Sequence, residues 1–103
     1  MAYIKVEVFV PDEDKWSVID GLNAREILKD GGYDSVFAET KVTGHFTPLA
    51  GSSPDIGEIG EHTTVSEVKL EFRIKKEDKD KVYKIIKDTH PYEVPVINFI
   101  ELI

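Results

Sequence analysis

The chain has 103 residues, a formal net charge of -7 and no cysteine. This length corresponds to a single domain over residues 1–103, and a hydrophobic content of 41% is enough for one folded core. The lack of cysteine excludes disulfides, thiolate nucleophiles and iron–sulfur ligation. The acidic balance argues against nucleic acid and against an anionic membrane as partners, because phosphate groups repel it.

No targeting or membrane segment is evident in the sequence. The first residues lack the basic stretch and apolar core of a signal peptide. No apolar run reaches the roughly 20 residues that cross a bilayer. We therefore expect a cytoplasmic protein.

The first strand and the first helix follow from hydrophobic period. Alternating apolar residues predict a strand over residues 2–10, which Pro11 ends because proline cannot donate to a sheet ladder. The acidic residues 12–14 suit the positive end of a helix dipole and open a helix. Its expected buried stripe consists of Trp16, Ile19 and Leu22.

The middle of the chain predicts a hairpin with a long connection. Residues 24–28 either continue the first helix or start a second short one, and the Gly31-Gly32 pair stops it. Alternation over residues 35–47 predicts a second strand, in which Gly44 marks a bulge. Residues 48–62 are rich in proline and glycine and form an ordered loop. Residues 65–74 then form the third strand.

The last third predicts a helix and a final strand. Residues 76–89 carry an apolar stripe at helical spacing, made of Val82, Ile85, Ile86 and Thr89. The His90-Pro91 step ends this helix, because a residue before proline avoids helical geometry. Residues 93–103 form the last strand. The order β-α-β-β-α-β predicts an α+β, ferredoxin-like sandwich with a four-stranded antiparallel sheet and two helices on one face.

The uncovered face of this sheet is expected to be apolar. The bulky side chains assigned to it are Tyr3, Phe9, Phe37, Ile97, Phe99 and Ile103. A contiguous apolar surface is uncommon on a soluble monomer, so the pattern predicts a homo-oligomer that buries it. In the alternative, some of these rings pack under the long loop or the helix edges.

Two segments carry a resemblance to a known family. Residues 44–60 have the spacing G-x-F-x-P-x-x-G-x-x-P-x-I-G-x-x-G, and residues 90–95 form an H-P-Y-E-x-P box. Residues 32–34 resemble the tail of a G-x-Y-D turn. Together these resemble the small inserted domain of the NGG-interacting-factor-three-like proteins of the YqfO type, as a free-standing copy. That domain is similar in fold to the CutA divalent-cation-tolerance proteins and the PII-type signal regulators.

The resemblance implies a compact homo-oligomer. Its fold relatives are typically trimeric, which implies a homo-oligomer with a trimer favoured. The chain departs from the family at residues 24–28, where a glycine- and alanine-rich run is usual, and at Val36, where a cysteine is common. The dinuclear metal domain of full-length relatives has no counterpart in this chain. We therefore do not carry over its hydrolase-like activity and expect a protein that is not an enzyme.

The loop segment (residues 44–62) and the box segment (residues 90–95) are the regions expected to bind a ligand. Their candidate ligand-binding residues are Gly44, His45, Phe46, Pro48, Gly57, Gly60, His90, Tyr92 and Glu93. Glycines let backbone amides face an anion, although nearby acidic side chains oppose one. In the structural alternative, the glycines meet special backbone angles, Phe46, Leu49 and Ile56 pack inward, and the box is a rigid turn.

The three histidines are the candidate metal ligands. His45 and His62 flank the loop segment and can approach each other across the hairpin, and His90 is the third imidazole. Imidazoles bind divalent cations, which need three or four converging ligands, so such a site could be shared between subunits. In the alternative, His45 and His62 are surface residues and His90 caps the second helix. A divalent cation is the one cofactor that we consider.

The leading hypothesis is a non-enzymatic, homo-oligomeric CutA/PII-like module. It would bind a small ligand or cation at clefts between subunits, or act as a regulatory or structural oligomer. Two alternatives remain. One is a divalent metal-ion-binding tolerance protein, and the other is an interaction partner of a dinuclear-metal NGG-interacting-factor-three-like protein.

Overall fold

The computed structural model describes residues 2–103, so Met1 of the predicted domain lies outside the described residues. Six main elements follow in chain order: β1 (Tyr3–Pro11), α1 (Lys15–Ala24), β2 (Ala38–Phe46), β3 (Thr63–Lys75), α2 (Lys79–Thr89) and β4 (Ile97–Glu101). A short 3-10 turn precedes each helix. The predicted β-α-β-β-α-β order is confirmed.

The four strands form one sheet in the order β2-β3-β1-β4. Each neighbouring pair is antiparallel. The α+β, ferredoxin-like fold predicted from the element order is therefore confirmed. No helix within the described residues is long and apolar enough to cross a membrane.

The core lies between one face of the sheet and the two helices. Every second residue of β1 from Ile4 to Val10 is buried, and so are its partners on β3 from Ile74 to Val68. The helices add the buried side chains Val18, Ile19, Leu22, Val82, Ile85 and Ile86 to the same cluster. Full burial of a side chain of this kind contributes about 1.5–3 kcal/mol, so this layer dominates the stability of the fold.

Helix α1 differs from its prediction in its stripe and its end. Trp16 is 55% exposed and lies edge-on to Phe37, while Val18 takes the buried place expected for it. The helix ends at Ala24, well before the Gly31-Gly32 pair. A turn with Glu26 at a positive φ of 59° follows. This turn returns the chain to the core at the buried residues Ile27 and Leu28.

Two strand predictions are also wrong in detail. The ladder between β2 and β3 runs without an extra residue from the pair Ala38–Glu71 to the pair Phe46–Thr63, so Gly44 marks no bulge. β4 covers Ile97–Glu101 rather than residues 93–103.

The prediction of an apolar open face is wrong, because the side chains of Ile97 and Phe99 on β4 point to the helix-covered face of the sheet and not to the open face. Phe99 pairs with Val6 and Ile97 pairs with Val8, so both side chains face the helices. They and Phe37 are partly buried against the core within one chain. Of the six residues assigned to the open face, Tyr3 and Phe9 lie on it, and Ile103 follows β4 as an exposed residue.

Candidate functional site

The loop segment and the box segment meet at one end of the open sheet face and line one cavity there. The cavity has a volume of about 460 Å³. Its floor is formed by side chains of three strands, and residues 48–56 and 92–96 form its walls. This volume is in the range of small-molecule sites.

Hydrogen bonds within the loop segment set the shape of one wall. Pro48 is buried, and its carbonyl oxygen accepts a hydrogen bond of 2.7 Å from the N–H of Gly60. The N–H of Ser53 donates to Glu93 Oε2 at 2.8 Å, which joins the loop to the box segment. Gly57 and Gly60 have φ values of 87° and 82°, which other residues adopt only with strain.

A buried carboxylate and a tyrosine form one polar pair in the cavity lining. Glu67 on β3 is 7% exposed, and its Oε2 accepts a hydrogen bond of 2.9 Å from the Tyr92 hydroxyl. Its Oε1 lies against Gly44, where an added Cβ would overlap it. Gly44 is therefore required by the close approach of this carboxylate. Burial, together with the adjacent Glu67, raises the pKa of Tyr92, so the hydroxyl stays protonated as a donor.

His90 holds the box segment from behind the cavity. Its Nε2 lies 2.6 Å from the carbonyl oxygen of Phe9, and its Nδ1 accepts a hydrogen bond of 3.1 Å from the N–H of Tyr92. This pattern requires a neutral ring with its proton on Nε2. Burial lowers the pKa of His90, which favours that form. The ring stabilises the turn that carries Tyr92 and does not line the cavity.

His45 and His62 approach each other across the β2–β3 hairpin. His45 Nδ1 and His62 Nε2 lie 3.1 Å apart, so one ring donates to the other. His90 is bonded elsewhere and does not join them. Within residues 2–103, no three His, Cys, Asp or Glu side chains converge in an arrangement that could hold a metal ion.

The cavity collects most of the candidate ligand-binding residues. Those that line it are Gly44, His45, Phe46, Pro48, Tyr92 and Glu93. Gly57, Gly60 and His90 lie outside the lining. Of the loop residues expected to pack inward, Phe46 and Ile56 line the cavity. Leu49 is instead 70% exposed.

Sequence reasoning missed Glu67. It belongs to a strand in which charged and apolar residues alternate, and nothing in that pattern separates it from Lys69 or Glu71. The usable signal is the glycine on the neighbouring strand, because Gly44 pairs with Val65 and so lies diagonally beside Glu67. That signal exists only once the strand register is known.

Curated proteins related in sequence match almost the whole chain. A GTP cyclohydrolase 1 type 2 homolog of Staphylococcus aureus is 36% identical over 100 residues, which cover 97% of this chain and 27% of the relative. The homolog of the same name in Staphylococcus epidermidis is 38% identical over the same shares. The chain thus spans about a quarter of the length of these relatives. No family model matches it.

Solved structures give the same correspondence and also the fold. A Bacillus cereus protein related to NIF3 superposes with a TM-score of 0.81 at 29% identity, covering 98% of this chain and 26% of that one. CutA1 of Oryza sativa has a TM-score of 0.72 at 15% identity, covering 100% and 82%. The Bacillus subtilis GlnK–ATP complex has a TM-score of 0.66 at 15% identity, covering 98% and 82%. The last two show the fold alone. The resemblance to one domain of the NGG-interacting-factor-three-like proteins is therefore confirmed, and the chain has the CutA/PII-like fold.

Proposed function

We propose that the chain is a non-enzymatic binding module whose ligand occupies the cavity between the loop segment and the box segment. The observation that carries this proposal is the convergence of both segments on one cavity of about 460 Å³. Two hydrogen bonds, from Ser53 to Glu93 and from Tyr92 to Glu67, join elements distant in sequence around it. Such cross-links suit a preformed site.

The walls of the cavity support a ligand with an apolar body. The side chains that supply apolar surface are Phe9, Phe46, Pro54, Ile56, Tyr92 and Val96. The rings of Phe46 and Tyr92 both line the cavity, with centroids 6.2 Å apart and a tilt of 60°, and aromatic rings of this kind suit a ligand with an aromatic group. Apolar walls with few polar groups are the usual composition of small-molecule sites.

A filled cavity tests this proposal. Val96 lines the cavity, and Val36 is an exposed valine outside it. We expect 2-phenylethanol, followed by amide chemical shifts in an NMR titration, to bind the wild type and to bind Val96→Trp at least about tenfold more weakly, since one buried aromatic group contributes on that scale. The matched variant Val36→Trp makes the same change outside the cavity and should bind as the wild type does. Equal binding to all three proteins would contradict the proposal.

No catalytic step is assigned to the cavity. Its tyrosine keeps its proton because its pKa is raised, so it is a poor base or nucleophile. Glu67 accepts the hydrogen bond of that tyrosine. The relatives named GTP cyclohydrolase 1 type 2 homolog are about four times as long as the matched stretch. We therefore expect no consumption of GTP by the purified chain, as measured by chromatography of the nucleotide after prolonged incubation.

Self-association is part of the proposal, and the outer edge of β4 supports it. β4 pairs with β1 on one side only, so its other edge presents unpaired backbone groups. Ile100 and Leu102, each 42% exposed, extend the apolar surface beside that edge. A second copy that covers this edge explains both features, and we favour a trimer. Sedimentation equilibrium should give three times the monomer mass of 11.7 kDa, and a monomer at micromolar concentration would contradict it.

A divalent cation is the second candidate ligand, favoured by the His45–His62 pair. Two imidazoles 3.1 Å apart are a partial ligand set, which residues from a second subunit would have to complete. Calorimetry with Zn²⁺, Cu²⁺ and Ni²⁺ should show heat that a His45→Ala/His62→Ala variant loses. His90 is kept in that variant because it is bonded within the fold. Equal heats from both proteins would exclude this candidate.

A further inference from the structure

The cavity is lined by carboxylates and by no lysine or arginine. The acidic side chains are Asp55, Glu67 and Glu93. Among the described residues, no basic side-chain nitrogen forms an ion pair with any of them; Lys87 reaches only the carbonyl oxygen of Glu93, at 3.4 Å. The basic side chain in this lining is the imidazole of His45, which is hydrogen-bonded to His62. The cavity therefore has a negative potential.

Among these acidic side chains, Glu67 is the buried one that lacks a positively charged partner. It is 7% exposed, and its one hydrogen-bond partner among residues 2–103 is the neutral hydroxyl of Tyr92, which donates to Oε2. Its Oε1 lies against Gly44 at the edge of the cavity. Buried carboxylates are normally paired with a cation, because an unpaired charge is costly to remove from water. This chain supplies no such cation within residues 2–103.

We infer that the ligand of the cavity is a small organic cation, with a protonated amine on an aromatic or branched apolar body. This inference rests on the proposed function. The ammonium supplies the charge that Glu67 lacks, and the apolar body suits the rings of Phe9, Phe46 and Tyr92. Aromatic faces also attract cations. A phosphate or carboxylate ligand would face three negative side chains, and a neutral ligand would leave Glu67 unpaired.

Three probes of similar shape and different charge test the inference: 2-phenylethylammonium, 2-phenylethanol and 3-phenylpropionate. In NMR titrations at neutral pH, we expect the ammonium to bind about tenfold more tightly than the alcohol, because charge-assisted hydrogen bonds are about twice as strong as neutral ones. The carboxylate should bind most weakly. An ammonium that binds no more tightly than the alcohol would overturn the inference while the proposed function stands. Failure of all three probes to bind would overturn both.

Glu67→Gln identifies the group responsible. Its amide oxygen can still accept from Tyr92, so the site keeps its shape while it loses the charge. We expect the affinity for the ammonium to fall about tenfold, to that of the alcohol, while the alcohol binds as before. Glu77→Gln removes the same charge from an exposed residue outside the cavity and should change none of the three affinities. Loss of ammonium preference in both variants would overturn the assignment to Glu67.

A second variant keeps the inference testable if Glu67→Gln does not fold. Asp55 and Glu93 are exposed residues of the lining, and glutamine at 93 can still accept from the N–H of Ser53. Asp55→Asn/Glu93→Gln should weaken the ammonium several-fold and strengthen the carboxylate probe, on the scale of partly exposed charge pairs. Unchanged affinities for both charged probes would overturn the inference.

Discussion

The middle of the open sheet face and the end that carries the cavity both contain carboxylates, but the carboxylates have different partners in the two regions. In the middle, Lys5 Nζ lies 2.7 Å from Glu71 and 3.2 Å from Glu7, so the acids are paired within the chain. At the cavity end, Glu67 is more deeply buried and has a tyrosine instead of a lysine. The middle of the sheet is complete by itself, whereas its end lacks a counter-charge. A carboxylate without a counter-charge is expected in a ligand site, where the ligand can supply the positive charge.

The largest effect on stability is expected where His90 supports the cavity end. His90→Ala leaves the carbonyl oxygen of Phe9 and the N–H of Tyr92 without their partner and opens a space behind the box segment. We expect the free energy of unfolding to fall by about 3 kcal/mol, as measured by urea titration. His62→Ala, at an exposed position, is the control and should stay within about 0.5 kcal/mol of wild type. Similar losses in both variants would contradict the role given to His90.

Gly44→Ala should have the next largest effect, because the new Cβ displaces the Glu67 carboxylate. The displaced group loses its hydrogen bond with Tyr92, and we expect a loss of about 1–2 kcal/mol in urea unfolding. Gly32→Ala is the matched control, since an added Cβ there meets no atom within 4 Å. It should change stability by less than about 0.5 kcal/mol. Equal stability of the two variants would mean that Glu67 moves aside without cost.

The free energy of unfolding should depend on pH through the titration of the buried His90. Burial lowers its pKa in the folded chain below the usual 6.5, so the unfolded chain takes up this proton first. The stability that depends on neutral His90 is therefore complete above pH 6.5 and is lost as the pH falls toward the lowered pKa. Urea midpoints between about pH 8 and pH 5 should drop more steeply for wild type than for His90→Ala. Parallel curves would contradict this assignment.

The smallest effect is expected in the middle of the sheet. The hydrogen-bonded ammonium of Lys5 lowers the pKa of Glu71 below its usual 4.5, so the contribution of this pair is present above pH 4.5 and is lost as the pH falls through the lowered pKa. Glu71→Gln should reduce the urea midpoint slightly at neutral pH, and less in about 1 M salt, because these groups are screened. Glu77→Gln is the control, because Glu77 forms no ion pair within the described part of the chain. A deficit of Glu71→Gln that persists at about pH 2 would contradict the pairing.

The hydrophobic periodicity of the sequence predicts the order of the helices and strands. It does not predict which face of the sheet each side chain of the edge strand β4 occupies. Alternation states which residues of β4 share a face, but only its register on β1 decides that Ile97 and Phe99 face the helices. The prediction that Trp16 is buried is wrong for a related reason. The short helix α1 buries a narrow stripe, and Val18, beside Ile19, occupies it in place of Trp16. These properties depend on partners that are distant in the chain.

The candidate site was partly predictable, because its turns depend on glycine and proline residues that are close together in the sequence. The glycine and proline spacing of the loop segment and the box segment identified both walls of the cavity. The floor was not identified, because Glu67 matters only through its cross-strand neighbour Gly44 and its distant partner Tyr92. The approach of His45 to His62 was foreseen from the hairpin, whereas the bond from His90 to Phe9 spans 81 residues and has no local signal.

The central claim is that the cavity, and not the rest of the open face, holds the ligand. Isotope-filtered NOE spectra of the labelled protein with 2-phenylethylammonium test it most directly. We predict contacts from the ring of the probe to side-chain protons of Phe46, Tyr92 and Val96. Contacts confined to Ile100 and Leu102 at the β4 edge, or none at saturating probe, would contradict it.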